Sequence, residues 1–226
     1  NELLHTLPED RGRYFAVLNA LTEAAKTMTD FTEEQAKQAR QILAPELAKK
    51  AANPPSFQVS ARGHAHLDLA WLGSVRETIR KGCRTFATAF ALMNRYDDHH
   101  FCASQPQLYQ WIKEYYPRLY EKVKQRVSEG RWHPTGGLWV ESDVNIASGE
   151  SLIRQILYGK RFFQQEFGIT PVTGFLPDCF GFTGSLPQIF AKSGLKYFFT
   201  HKVTWVKFIQ YPHNTFIWEG IDGSTV

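Results

Sequence analysis

Two histidines and an aspartate stand at alternate positions in the segment GHAHLDLAW, residues 63–71: His64, His66 and Asp68. In extended backbone, residues two apart point the same way, so His66 and Asp68 can present an imidazole nitrogen and a carboxylate oxygen to one cation. A borderline ion such as zinc accepts both kinds of ligand. The alternative is that the histidines only form hydrogen bonds at the end of a strand. Three residues of ligand type after a predicted buried strand favour the metal site, which needs at least one more ligand from elsewhere.

A further carboxylate that could take part in catalysis is Asp178, in the segment LPDCFGF at residues 176–182. Pro177 restricts the backbone before it and Gly181 allows a tight turn after it, so the carboxylate lies on a constrained loop. Such an aspartate can serve as a metal ligand, a base or a nucleophile. A turn-forming or helix-capping aspartate is the alternative interpretation.

The third polar segment is GGLWVESD, residues 136–143. Its Glu141 and Asp143 are candidates for acid–base chemistry, with a solvated loop as the alternative. Aromatic residues stand beside the polar segments, which suits the apolar face of a sugar ring, although each aromatic on its own is more often part of a core. These aromatic residues are Trp71, Trp139, Phe180 and Phe182.

From Phe57 onward, predicted strands alternate with predicted helices, which indicates a parallel α/β sheet. In such a sheet, open or closed into a barrel, sites collect at the carboxyl ends of the strands, where the three polar segments lie. The predicted strands are 57–61, 100–104, 131–136, 172–176, 196–200 and 215–220. The predicted helices are 74–96, 107–129, 151–167 and 185–193.

Residues 1–53 are predicted to form a helical N-terminal segment, and residues 54–226 an α/β catalytic domain. The sequence AANPPS at 51–56 is typical of a linker between them. Within the first segment, Thr32 and Gln35 have the spacing of a capping box, and Pro45 is expected to kink or break the helix that follows.

Composition and charge exclude several classes of partner. Of the 226 residues, 43% are hydrophobic and 14% aromatic, which indicates a folded globular protein. The net charge of +4 comes from scattered basic residues, so no nucleic-acid partner is expected. No apolar run approaches the roughly 18 residues that span a membrane, so no membrane partner is expected. The three cysteines have no C-x-x-C spacing, which favours a reducing, cytoplasmic location.

The segments GHAHLDLAW, GGLWVESD and LPDCFGF, with ASGESLIRQ between the last two, resemble the amino-terminal part of glycoside hydrolase family 38, the retaining α-mannosidases. The resemblance is strongest to the cytosolic and vacuolar branch and its bacterial relatives. PHNTFIWEGIDGSTV at 212–226 also resembles that branch. The likeness extends from Gly63 to Val226, whereas residues 1–53 resemble the helical lead-in of the branch more loosely. In combination these motifs are specific.

The resemblance implies a parallel seven-stranded α/β barrel of the glycoside hydrolase/deacetylase type, partial in this chain, with a divalent metal, most often zinc, in its site. In the family, the H-x-H-x-D motif supplies two metal ligands, and the aspartate of D-x-F-G is the nucleophile and also touches the metal. His64 matches the first motif but is not an expected ligand. The implied metal ligands are thus His66, Asp68 and Asp178, the nucleophile is Asp178, and the sugar-binding residues are Trp71, Phe180 and the basic Lys202. Asp143 is a further substrate-binding candidate and the best internal candidate for the acid/base.

The function implied is that of an exo-acting, retaining α-mannosidase, with a mannose-containing oligosaccharide as its partner. In the family, the last metal ligand and the acid/base carboxylate lie farther downstream than Val226, so the chain is expected to be a fragment of a longer enzyme. Two alternatives stay open: a metal-dependent amidohydrolase, whose site also begins with His-x-His, and a sugar- or metal-binding module without turnover. A homo-oligomer of the full-length enzyme is also left open.

Overall fold

The computed structural model describes residues 12–49, 59–205, 211 and 213–226. The chain divides into two compact units, Asn1–Val59 and Ser60–Val226. The predicted linker at 51–56 lies outside the described residues, and the domain limits 1–53 and 54–226 stay predictions. Of the helices in the described part of the chain, none is long and apolar enough to cross a membrane.

The first unit contains two helices, α1 (Gly12–Thr27) and α2 (Glu33–Ala48). The capping box predicted at the start of α2 is confirmed. The Gln35 amide donates to Thr32 Oγ1 at 3.3 Å, and the Thr32 amide donates to Gln35 Oε1 at 3.4 Å. These two contacts satisfy amides that the first helical turn leaves without a partner.

Pro45 does not break α2, so that part of the prediction is wrong. The helix continues through Pro45 to Ala48. A proline removes one helical hydrogen bond, but here it stands in the last turns, where few bonds follow. The Arg13 guanidinium of α1 also donates to the carbonyl of Glu46 at 3.1 Å, which supplies a partner for the final turn.

The second unit alternates strands with helices, as predicted. Its elements are α3 (Val75–Arg95), β1 (Phe101–Ala103), α4 (Pro106–Tyr115), α5 (Pro117–Ser128), β2 (Trp132–Pro134), α6 (Gly149–Phe167), β3 (Thr173–Phe175), α7 (Leu186–Lys192) and β4 (Tyr197–Phe199). A 3-10 helix, Lys202–Trp205, follows β4. The single helical stretch predicted at 107–129 is divided at Tyr116, because a proline disfavours helical backbone in the residue before it.

The strands form two small parallel sheets, β1 with β2 and β3 with β4. The seven-stranded barrel is thus not seen among the described residues. The strand predicted at 57–61 is absent from its described part, residues 59–61, and the chain instead makes an isolated parallel bridge from Gly63 to Phe101. The predicted strand at 215–220 is an isolated antiparallel bridge between Glu219 and Thr225, which belongs to a local turn.

A buried aromatic cluster fixes the carboxyl end of β1. Phe86 of α3 packs edge-on against Tyr109 and Trp132, with ring centroids 5.3 and 4.8 Å apart. The Trp132 indole donates to the Tyr109 hydroxyl at 2.9 Å, and that hydroxyl donates to the carbonyl of Ala103 at 2.9 Å. The last residue of β1 is therefore held by a fully buried chain of hydrogen bonds, and the residues that follow it start from a defined position.

Helix α6 holds the segment GGLWVESD. The Trp139 amide donates to the Gln155 carbonyl, and the Val140 amide to the Gln155 side chain, both at 2.9 Å. Gly159 permits the close packing, since a Cβ there would lie 2.3 Å from the Gly137 carbonyl oxygen. The segment that carries Glu141 is thus fixed against a helix at two successive amides.

Candidate active site

The three predicted metal ligands lie together. Nε2 of His66 is 3.1 Å from Oδ1 of Asp68 and 3.5 Å from Oδ2 of Asp178. Each residue offers one ligand atom, and these three atoms lie within 4.8 Å of one another. Two carboxylate oxygens and an imidazole nitrogen therefore converge on one place, which is a donor set able to hold a divalent cation.

Glu141 lies behind His66, on the side away from the two aspartates. Its Oε2 is 2.9 Å from Nδ1 of His66, an ion-pair contact whose angle does not suit a hydrogen bond. The Ser104 hydroxyl donates to the other carboxylate oxygen at 2.8 Å, and only 7% of the Glu141 side chain is exposed. Glu141, with a smaller contribution from Asp68, raises the pKa of His66 to about 9, although partial burial acts in the opposite direction.

A buried glutamine connects two of the polar segments. Gln105 is the second residue after β1, and its side chain donates to the Leu67 carbonyl at 2.9 Å and accepts from the Glu141 amide at 3.1 Å. Its backbone has φ 66°, a left-handed conformation that is uncommon in residues other than glycine. Sequence reasoning missed Ser104 and Gln105, and the one signal that could have found them is their place at the end of a predicted strand.

Asp178 lies on a short loop after β3. The buried Leu176 before it donates its amide to the Phe199 carbonyl at 3.0 Å, which continues the pairing of β3 with β4 into the loop. Gly181 has φ 155°, and a Cβ there would lie 2.4 Å from Nδ2 of Asn145. The Cys179 thiol donates to the Ser142 carbonyl at 3.1 Å, so the loop is also held against the segment that carries Glu141.

Lys202, at the start of the 3-10 helix, forms an ion pair with Oδ1 of Asp178. This ammonium holds the pKa of the Asp178 carboxyl below its usual range, with smaller contributions from His66 and His201. The two oxygens of Asp178 therefore face different cationic side chains: Oδ2 is near His66 and Oδ1 contacts Lys202. The lowered pKa keeps this carboxylate ionised, which is the form that a nucleophile or a metal ligand requires.

The aromatic residues of the polar segments separate into two groups. Trp71 is 72% exposed and Phe180 is 82% exposed, so neither is a core residue. Trp139 packs edge-on against Phe162 at 5.6 Å, and Phe182 against Phe198 at 5.1 Å, so these two belong to hydrophobic clusters. Trp71 and Phe180 are therefore the two of these four aromatic residues whose rings are largely exposed to a ligand.

His64 and Asp143 make contacts outside the three converging ligands. Nδ1 of His64 lies 3.0 Å from the Cys102 carbonyl, and its ring packs against Phe175 with centroids 5.0 Å apart. Oδ1 of Asp143 accepts from the amides of Asn145 and Ile146 at 2.9 and 3.0 Å, which is the pattern of a turn-stabilising aspartate. A role of Asp143 toward a substrate stays a prediction.

Comparison with known proteins identifies relatives along most of the chain. Residues 56–226 match the glycosyl hydrolases family 38 N-terminal domain. Alpha-mannosidase G of Dictyostelium discoideum is 51% identical over 169 residues, which is 75% of this chain and 16% of that protein. Mouse alpha-mannosidase 2C1 is 39% identical over 220 residues, 97% of this chain and 21% of that protein. The chain therefore spans about a fifth or less of the curated relatives it matches.

A solved structure resembles the fold. The crystal structure of an alpha-mannosidase from Enterococcus faecalis V583 superposes with a TM-score of 0.63 at 22% identity, covering 73% of this chain and 19% of that one. At this identity the likeness concerns the fold, and it supports an α/β arrangement for the second unit.

Proposed function

Because this chain belongs to glycoside hydrolase family 38, we propose that its site removes terminal α-linked mannose from oligosaccharides with retention of configuration. The observation that carries the proposal is Asp178, an ionised carboxylate beside His66 and Asp68 with one oxygen paired to Lys202. The relatives named as alpha-mannosidases support the mannose specificity. The same family membership disfavours the amidohydrolase alternative, since that chemistry needs no carboxylate nucleophile.

Asp178 acts as the nucleophile in this proposal. One of its oxygens forms a bond to the anomeric carbon while the glycosidic bond breaks, and a carboxylic acid gives its proton to the departing oxygen. In the second step, the group that donated the proton, now a carboxylate, accepts a proton from water. The water attacks the anomeric carbon, and the bond to Asp178 breaks to release its carboxylate. The two carboxyl groups of a retaining enzyme lie about 5–5.5 Å apart. Among the described residues, we assign no proton donor.

His66, Asp68 and Asp178 would hold a divalent metal, and zinc suits their mixture of nitrogen and oxygen. A bound metal would act as a Lewis acid toward sugar hydroxyls. The contact of Nδ1 with Glu141 supports this role, because a proton kept on Nδ1 leaves the lone pair of Nε2 for a metal. Without a metal, a proton on Nε2 would contact the carboxylates of Asp68 and Asp178 instead. Metal and proton therefore compete for this nitrogen.

Trp71 and Phe180 would form the walls of the sugar subsite. Their exposed rings supply apolar surface close in sequence to the polar groups, which suits the apolar face of a pyranose. A cytoplasmic location is also part of the proposal, and the three free cysteines agree with a reducing setting.

A fluorinated mannosyl substrate that traps the covalent intermediate tests the proposal, with peptide mass mapping of the labelled protein at its natural length. The label should be on Asp178, and Asp178→Asn should remove both the label and several orders of magnitude of turnover. Asp222→Asn is a suitable control, because among the described residues that exposed carboxylate accepts its hydrogen bonds from Ser224 in a local turn. A label on any other residue would contradict the assignment of the nucleophile.

A further inference from the structure

Two aromatic rings cover the ammonium of Lys202. Nζ lies 4.2 Å from the ring centroid of Phe180 and 4.0 Å from that of Trp205, while it also pairs with Asp178. Only 11% of the Lys202 side chain is exposed, compared with 66% of Trp205. Phe180 stands in the same loop as Asp178, but Trp205 belongs to none of the polar segments.

The 3-10 helix explains how Trp205 reaches Lys202. Such a helix has three residues per turn, so residues i and i+3 lie above one another, and here these are its first and last residues. The Lys202 amide donates to Thr200 Oγ1 at 3.3 Å, and the Thr204 hydroxyl donates to the His201 carbonyl at 2.7 Å. Both bonds hold the turn directly after β4.

We propose that Trp205 is a positioning residue, which holds Lys202 in contact with Oδ1 of Asp178. This inference rests on the proposed function, in which Asp178 is the nucleophile. A lysine has a flexible four-carbon stem, so the ion pair alone leaves its ammonium many positions. The face of an indole attracts a cation more strongly than the other aromatic rings do, and the Trp205 ring, whose centroid lies 4.0 Å from Nζ, restricts that freedom.

Among the residues that the structure describes, no packing contact of Trp205 with a hydrophobic cluster explains its position. Its indole is 66% exposed, and within the described part of the chain its further aromatic contact is the ring of His201, with centroids 6.1 Å apart. Its replacement should therefore leave the fold intact. A sugar-binding wall is the competing role for an exposed tryptophan, and the experiment has to separate that role from positioning.

The test compares Trp205→Leu and Trp205→Phe in the protein at its natural length, with an aryl α-mannoside as the substrate. Loss of the aromatic face should lower kcat about tenfold, in line with a cation–π contact of about 1.4 kcal/mol, and leave KM within about twofold. Trp205→Phe should recover most of the rate. Tyr197→Leu is the matched control, since Tyr197 is a similarly exposed aromatic residue on β4 and should have no effect.

A double-mutant cycle with Lys202→Met decides whether Trp205 acts through Lys202. If it does, Trp205→Leu should have no further effect on kcat in the Lys202→Met background. An undiminished effect in that background, or a rise in KM alone, would overturn the proposal in favour of a sugar-binding wall.

A second measurement does not depend on turnover. Acetylation of Lys202, quantified by mass spectrometry relative to the exposed Lys192, should become several times faster in Trp205→Leu. Unchanged acetylation together with unchanged kcat would refute the positioning role. If the wild-type protein hydrolyses no α-mannoside, the proposed function fails, and the acetylation rates still report whether Trp205 restrains Lys202.

Discussion

Replacing Glu141 with glutamine should weaken metal binding about 10- to 100-fold at pH 9 but change it little at pH 7. The substitution preserves the size of the side chain and its polarity. What it removes is the negative charge 2.9 Å from that nitrogen. Because Glu141 is not one of the three converging ligands, the effect has to pass through His66.

Two consequences of the lost charge oppose each other at neutral pH. A carboxylate behind a histidine ligand orients the ring and makes it more basic, and its loss typically costs about 10- to 100-fold in metal affinity. The same carboxylate raises the pKa of His66 to about 9, so at pH 7 a proton competes with the metal by a factor of about 100. In the variant the pKa of His66 falls toward its ordinary value of 6.5, and most of this competition disappears. At pH 9 the wild-type ring is about half neutral, so the loss is no longer offset.

Competition with a zinc chelator of known affinity, at pH 7 and pH 9, measures both effects. Glu150→Gln is the matched control, because Glu150 is an exposed carboxylate on α6 that pairs with Arg154 at 2.8 Å, and it should change nothing at either pH. Circular dichroism shows whether each variant is folded. Wild-type affinity of Glu141→Gln at pH 9 would refute the orienting role of Glu141. A full loss already at pH 7 would instead refute the competition between metal and proton.

Two further substitutions test the loops of the site. Trp71→Ala should weaken binding of a mannose analogue, measured by calorimetry, and leave the midpoint of thermal unfolding nearly unchanged, because the indole is 72% exposed; a collapse in stability with unchanged affinity would contradict this. Gly181→Ala should lower the free energy of unfolding by about 1–3 kcal/mol in denaturant titrations, since φ 155° strains any residue with a Cβ. Asn145→Ala should not restore the loss, because the Asn145 amide can move aside whereas the backbone strain stays; full rescue would show that the clash was the cause.

The sequence predicts elements well where the determining signal is local. The side chain of Ser74 caps the start of α3 by accepting a hydrogen bond from the Glu77 amide, and Gly168 ends α6 with φ 69°. Each helix end is therefore indicated by a single residue type in the sequence. The four described strands also lie within predicted strands, and each contains at least one aromatic residue, a type that is enriched in strands. The polar segment with Asp178 follows β3 as expected, whereas the segment with His66 follows the predicted strand 57–61, which is absent from residues 59–61.

What the sequence could not predict depends on contacts between distant segments. Gln105 forms hydrogen bonds with Leu67 and Glu141, which are 38 and 36 residues away. The residues next to Gln105 in the sequence do not indicate either partner. The strand expected at 57–61 fails similarly, because pairing with β1 requires the right register and begins only at Gly63. Closure into seven strands is a property of the whole sheet, and apolar runs of three to five residues do not specify how many strands pair.

The two oxygens of Asp178 explain why a lysine in this site would need aromatic rings as well as an ion partner. Oδ1 contacts Lys202 and Oδ2 lies 3.5 Å from Nε2 of His66, so the free carboxylate attracts both. When Asp178 becomes an ester in the proposed glycosyl-enzyme, its negative charge is lost and with it the main attraction on the ammonium. The ring faces of Phe180 and Trp205 do not change in that step, and their attraction for a cation persists. In the proposed mechanism Lys202 would therefore keep its place through the lifetime of the ester, and the carboxylate released by hydrolysis would meet a cation that is already positioned.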